Sequence, residues 1–201
     1  MRAEPAFRGA EPAARRASLV EACARVLARE GTAGTSVRAI ALEAGVSPGL
    51  IGHYFDGVDA LIAATYAHVE AQVDAALAAA VAAAGPDPRA RLEAYVTASF
   101  RPPIADSELL STWIAFWSLV RARPEIAALH DEQYGQFRVG LERLLAENGV
   151  PAPALRRTAI ALTALIDGLW LELCLSPQTF AGGEAPAIAV EALGALISTG
   201  R

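Results

Sequence analysis

Apolar residues recur along this chain at intervals of three and four, and nowhere do they alternate with polar residues at the two-residue period of a half-buried strand. The pattern predicts an all-α protein of about nine helices. Leu19, Cys23 and Val26, beside Val20, Ala24 and Leu27, form one face of a first helix over about 13–30, and Gly31 is a natural stop for it. "VRAIALEA" reads as a second helix, capped by Thr35 or Ser36 and ended by Gly45. Ser47 caps a third, with Pro48 at its first position, where a missing N–H costs nothing. A long helix follows from Val58 to about Ala84 and stops at "GPDP". Further helices fit 89–100, 106–121, 125–148, 154–175 and 187–198. Residues 1–12, which contain proline and glycine, read as a loose arm.

Composition narrows the picture. Formal net charge is -5, so no global basic field advertises a nucleic-acid partner, and all 17 cationic side chains are arginine. The N-terminus has acids and prolines but no apolar core of a signal peptide. The longest wholly apolar stretch, 75–84, is too short for the roughly 18–20 residues of a membrane span. Cys23 and Cys174 are too few and too far apart for a disulfide framework or zinc site, and both fall in apolar helical patterns that suit inert core thiols. The expectation is a soluble cytoplasmic chain with no membrane partner, metal or cofactor.

One short segment departs from simple core-building. In a twenty-residue window from Val37 to Asp56, Ala41 is fifth, Gly45 ninth and Ile51 fifteenth. A small residue at the fifth position lets two helices approach. Glycine at the ninth permits a left-handed turn, and an apolar residue at the fifteenth plugs the second helix into the core. That spacing fits a helix-turn-helix whose second helix enters a major groove. Residues 8–38 hold six arginines against three acids, a local excess in an acidic chain. Arg8, Arg15, Arg16 and Arg38 are therefore candidates for phosphate contacts.

These residues carry a resemblance. "TSVRAIALEAGVSPGLIGHYFDGVDALIAA" resembles the DNA-binding region of TetR-type transcriptional regulators, over roughly residues 13–65. The resemblance implies a helix-turn-helix domain over 1–57 and a ligand-binding and dimerisation domain over 58–201. It further implies a homodimer on double-stranded DNA with a palindromic operator, released by a small-molecule effector. By position, Ser36, Arg38, Ser47, Pro48, Gly49, His53 and Tyr54 fall at or beside the family's DNA contacts, with Arg15 and Arg16 nearby, while Phe55 falls in the core. Two departures stand out. The family often has tyrosine where this chain has Gly52, and a phosphate-binding lysine where it has Val58.

A second constellation lies in the C-terminal region. All three tryptophans sit in "STWIAFWSL" and "ALIDGLWLELCLS", and Trp113, Phe116 and Trp117 share one helix face. Such a stripe suits core packing. Asp167, three residues before Trp170 in an apolar helix, needs a partner, because a buried lone carboxylate is expensive. That partner is either a protein arginine, such as Arg156 or Arg157 of a dimer mate, or a bound cation held by tryptophan faces and one acid. The pairing of "WIAFW" with "ALIDGLWL" resembles the BetI-type repressors of choline-to-glycine-betaine synthesis. Trp113, Phe116, Trp117, Trp170, Asp167 and Tyr95, with Glu172 as an alternative acid, are then the candidate walls of an effector cage. The helix over 154–175 is apolar around most of its circumference, which predicts burial with the helix over 187–198 in a dimer interface, at residues such as Leu169 and Leu173.

Other classes fit less well. His53, His68 and His130 fall in separate helices without metal spacing, and no glycine-rich phosphate loop, nucleophile elbow or CxxC is present, so no enzyme is expected. A helical interaction or small-molecule-binding protein without specific DNA binding would explain the alanines but not the helix-turn-helix spacing.

Overall fold

Prolines start helices in this chain and glycines end them. The computed structural model describes residues 11–199, apart from the Thr199 side chain. Arg8 and the expected N-terminal arm up to residue 10 lie outside those residues. Among the described residues there are nine α-helices and no strand: α1 (Pro12–Gly34), α2 (Val37–Ala44), α3 (Pro48–Tyr54), α4 (Gly57–Ala83), α5 (Pro88–Ala98), α6 (Ser107–Val120), α7 (Pro124–Glu147), α8 (Ala152–Leu175) and α9 (Glu184–Thr199). A single 3-10 turn, Pro177–Thr179, follows α8. Proline stands in the first turn of α1, α3, α5 and α8, where its fixed φ suits a helix and no hydrogen bond is lost. Gly31 leaves helical geometry at φ 62°, so the expected stop is a break inside α1, with one further turn beyond it.

The helices form two compact units that do not follow chain order. The first comprises the chain through Val69 together with Ser111–Leu129. The second comprises Glu70–Leu110 together with the chain from His130.

In the first unit, α1 buries Leu19, Val20, Ala22, Cys23, Val26 and Leu27. Ala24, expected on that face, is half-buried, and its carbonyl accepts a hydrogen bond from the Thr112 hydroxyl of α6 at 3.4 Å. Ile40, Ala41 and Ile51 from α2 and α3 join this core with Leu61, Ile62 and Tyr66 from α4. Burying an aliphatic side chain of this size contributes about 1.5–3 kcal/mol. The Cys23 thiol is pushed up to about 11 by burial and stays protonated, as an inert core thiol does.

In the second unit, α9 packs on both α5 and α8. Leu162, Ile166 and Leu169 of α8 and Ala189, Leu193 and Ile197 of α9 are buried. At 24 residues, α8 is long and apolar enough, by length and composition, to cross a membrane. Asp167 and Glu172 interrupt its sequence, so no unbroken apolar run marks it. Its buried side has a partner in α9.

The junction between α2 and α3 depends on Gly45. Its backbone is left-handed (φ 67°, ψ 32°), and two hydrogen bonds close the end of α2, from Gly45 N–H to the Leu42 carbonyl at 3.2 Å and from Val46 N–H to the Ala41 carbonyl at 2.9 Å. This double closure leaves few carbonyls unsatisfied and fixes the angle at which α3 departs. A Cβ at this position meets nothing within 4 Å, so its cost is conformational alone. Gly45→Ala is expected to lower the unfolding free energy by about 1–2 kcal/mol, measured by urea denaturation.

Candidate nucleic-acid interface and effector site

The outer face of α3 is unusually bare. Pro48, Gly49, Gly52 and His53 are exposed, while Ile51 is fully buried and Phe55 is 5% exposed. A side chain at Gly49 or Gly52 would project into open space, so neither glycine is required for packing. What the two glycines provide is a surface that another molecule can approach to backbone distance. Tyr54 is half-buried, its ring edge-on to His53 at 5.1 Å. At the start of α2, the Ser36 hydroxyl accepts a hydrogen bond from Ala39 N–H at 3.2 Å, and Arg38 beside it is exposed. Ser47 occupies the cap position of α3 but its side chain makes no capping bond, contrary to the expected cap, so the exposed hydroxyl is uncommitted.

The local arginine excess is smaller than the sequence count suggests. Arg25 and Arg29 of α1 both bind Glu43 of α2, at 2.7 and 3.0 Å, and Arg29 also meets Glu30 at 3.0 Å. These hydrogen bonds hold the Glu43 carboxyl below its ordinary pKa. Arg16 lies over the Phe55 ring, 4.7 Å from its centre, and so clasps the end of the recognition helix. Arg15 is half-buried, and its Nε, shielded from solvent, has no hydrogen-bond partner among the described residues. Arg15 and Arg38 thus remain uncommitted.

The six residues of the expected effector cage fall in three sets. Trp113, Phe116 and Trp117 belong to the first unit, where Trp113 and Phe116 pack around the buried Tyr66 ring at 5.4 and 4.8 Å. Phe116 is fully buried and Trp113 5% exposed, while Trp117 is half-buried. Tyr66 was not singled out by sequence reasoning, because nothing in a lone tyrosine on an alanine-rich helix marks it as the centre of an aromatic cluster.

Asp167 and Trp170 make the second set, in the second unit. The Trp170 indole N–H donates to the Ser99 carbonyl at 2.6 Å, tying α8 to the end of α5. Asp167 accepts a hydrogen bond from the Tyr134 hydroxyl of α7 at 3.1 Å. Within this chain the partner is therefore a tyrosine, which the sequence reading did not name. Burial pushes the Asp167 carboxyl up to about 6, against the lowering effects of the Tyr134 bond and the Arg138 charge. His130 stacks on Tyr134 at 4.1 Å, with its pKa lowered mainly by burial. Tyr134 too was missed, since a residue 33 positions away carries no spacing signal. Tyr95 is the third set: its ring packs on Phe137 at 5.2 Å, and its hydroxyl donates to the Phe137 carbonyl at 3.2 Å. Among the described residues no cluster of three or more potential metal ligands occurs.

Residues 19–65 match the family described as bacterial regulatory proteins of the tetR family, and residues 88–198 match the BetI-type transcriptional repressor, C-terminal. The chain belongs to the TetR family of transcriptional regulators. It is a DNA-binding transcriptional repressor of BetI type, not an enzyme. It is 37% identical to the HTH-type transcriptional regulator BetI of Paraburkholderia xenovorans, over 83% of this chain and 85% of that protein. Among solved structures, a putative transcriptional regulator from Pseudomonas aeruginosa is 40% identical, with a TM-score of 0.84 over 98% of this chain and 95% of the other. A putative regulator from Saccharomonospora viridis, solved in complex with choline, shares the fold at 23% identity and a TM-score of 0.72, over 92% of this chain and 96% of the other. TetR-family regulators bind DNA operators, dimerise and bind small-molecule effectors.

The Asp167 carboxyl makes a testable contribution to stability. Its folded pKa lies above the unfolded value of 3.8, so protonation favours the native state. The contribution is fully present below about pH 4 and is lost as pH rises through about 6. Asn keeps an acceptor for Tyr134 without the charge. Asp167→Asn is therefore expected to gain stability relative to wild type as pH rises from about 4 to 8, by on the order of 2–3 kcal/mol. Urea denaturation of both proteins across that range checks it.

Proposed function

We propose that this repressor binds a palindromic operator as a homodimer and leaves it when a small cation occupies the Asp167 site. The observation that carries the DNA half is the bare outer face of α3, flanked by the uncommitted groups of Ser47 and Arg38. Gly49, Gly52 and His53 face base edges in the major groove, Pro48 sets the helix start, and Tyr54 borders the contact. Ser36, Arg38, Ser47 and Arg15 hold phosphates, and Arg16 supports the helix through Phe55. The DNA-binding part ends near residue 57, and the remainder senses the effector and dimerises in the cytoplasm.

Dimerisation uses α8 and α9. Ile160, Leu171 and Leu175 of α8 are exposed at 38%, 40% and 66%, and Ile188 of α9 at 36%. With Ala164 and Gly168 they recur at three- and four-residue intervals, the seam of a helix–helix contact. Leu169 is buried inside the subunit and Leu173 half-buried, so the seam lies one position round from the residues first expected.

The effector half rests on Asp167, a half-buried carboxyl whose one hydrogen-bond donor among the described residues is the neutral Tyr134 hydroxyl. A quaternary ammonium offers charge without hydrogen bonds and suits an acid beside aromatic faces, here Tyr134 and Trp170, each desolvated contact contributing about 0.5–2 kcal/mol. Trp113 and Phe116 pack around Tyr66 within the first unit, with Trp117 beside Trp113. By linkage, a cation that weakens operator binding must itself bind less tightly to the DNA-bound form.

Three outcomes test these assignments. In gel shifts with the DNA flanking its own gene, the protein should bind a full palindrome far more tightly than one half-site. Arg38→Ala should weaken binding across sequences and reduce the salt slope by about one. Absence of any sequence-selective shift defeats the DNA half. Leu175→Glu should convert a dimer to monomer in light scattering, and a monomeric wild type at micromolar concentration removes the dimer. In calorimetry, choline should bind more tightly than neutral 3,3-dimethylbutanol, and its affinity should fall about tenfold per pH unit below about 6, as Asp167 takes a proton. Equal binding of both probes rules out the charge argument.

A further inference from the structure

What α3 can read is limited by its length and by which of its side chains reach outward. Its seven residues rise about 10 Å, enough to face about three base pairs of a duplex. Ile51 is fully buried and Leu50 and Tyr54 are half-buried, so Pro48, Gly49, Gly52 and His53 make up the exposed face. Of these four, His53 alone has a side chain that can hydrogen-bond. It follows Gly49 by four residues and Gly52 by one, which sets all three on the same side of the helix. The His53 ring stands nearly perpendicular to Tyr54, at 87° with centroids 5.1 Å apart, a contact that limits its rotation. Its nitrogens have no hydrogen-bond partner among the described residues.

The major groove presents donors, acceptors and one apolar group, the thymine 5-methyl. An imidazole offers an N–H donor in either protonation state. Guanine sets two acceptors side by side, N7 and O6, whereas adenine sets a donor beside its one acceptor. A single N–H therefore meets guanine with less need of exact aim, and meets adenine with a competing donor close by. Beside His53 the requirement is different. A base-edge donor or acceptor that loses water and finds no side chain is left unpaired, at a cost. Gly49 and Gly52 supply no side chain, and a Cβ at either would meet nothing within 4 Å, so no other protein group fills that space. A thymine methyl suits it, because contact with bare backbone is all the methyl requires.

We propose that His53 selects a guanine in each half-site and that the side-chain-free positions of Gly49 and Gly52 admit thymine methyl groups next to it. The assignment rests on α3 entering the major groove and adds which base atoms it meets there. His53 is then the specificity-determining residue of the operator contact. Ser36 and Arg38 of α2 stand outside this set, since a phosphate contact positions the protein without telling one sequence from another. Loss of Arg38 weakens binding to every duplex, whereas loss of His53 removes a preference at one base pair.

The probe is the duplex that the full-length protein selects from a random pool. In it each guanine pair is changed in turn to an adenine pair, and each thymine to uracil, which lacks only the methyl. One guanine per half-site should cost about tenfold in affinity when changed. That cost should vanish in His53→Ala, which should bind unrelated DNA as wild type does. At least one thymine per half-site should cost about fourfold when its methyl is removed. Gly52→Ala places its own methyl in the same space and should reverse the preference, binding the uracil duplex more tightly than the thymine duplex. Melting temperature verifies that both variants are folded. If a consensus emerges but His53→Ala keeps the guanine preference, or no uracil weakens wild-type binding, or Gly52→Ala ranks the two duplexes as wild type does, the assignment is overturned and the DNA reading stands. A selection that yields no consensus overturns both.

Discussion

A seven-residue helix has no stability of its own, and the bare outer face of α3 depends on how the helix is held. Ile51, fully buried, fixes the helix from beneath, and Phe55 at its end is covered by the Arg16 guanidinium. The left-handed Gly45 fixes its entry angle. With the inner side anchored at both ends, the outer side is free of packing duties and can consist of proline, two glycines and a histidine. Side chains at Gly49 and Gly52 would meet nothing within 4 Å, so variation there leaves the fold unchanged.

Much of the architecture was legible in the sequence because helix ends are local events. Gly45, Pro48, Pro88 and Pro124 act through their own φ angles, so the expected helices match those observed to within a few residues. Ala41, Gly45 and Ile51 did what their spacing implied, since all three requirements are met within one short hairpin. The failures have a common cause in contacts distant along the chain. Ser47 looks like a cap by position, yet whether its hydroxyl turns toward the backbone depends on its surroundings. Arg16, Arg25 and Arg29 count as positive charge in composition, but tertiary partners absorb them. Tyr134 and Tyr66 acquire importance only because α7 and α4 bring them to Asp167 and to the tryptophan stripe.

The candidate effector residues illustrate the same limit from another side. A helical stripe of aromatics tells which side chains share a face and says nothing of what faces them. Trp113 and Phe116 meet a buried tyrosine, Trp170 gives its N–H to a backbone carbonyl, and Tyr95 is drawn to α7 by the missing side chain of Gly140. Asp167 was the more informative signal, because an acid in an apolar helix must be compensated somehow, and here the neutral Tyr134 hydroxyl of α7 does so.

The composition of the first unit bears on how such regulators can be taken apart. Its core is closed by Trp113, Phe116 and Leu119, which arrive from a segment more than forty residues downstream of Val69. A fragment cut after Val69 would leave Tyr66 without Trp113 and Phe116, a greasy stump rather than a portable module. Chimaeras that graft this reading head onto a different sensor must therefore carry α6 with it, or supply a helix with the same three side chains.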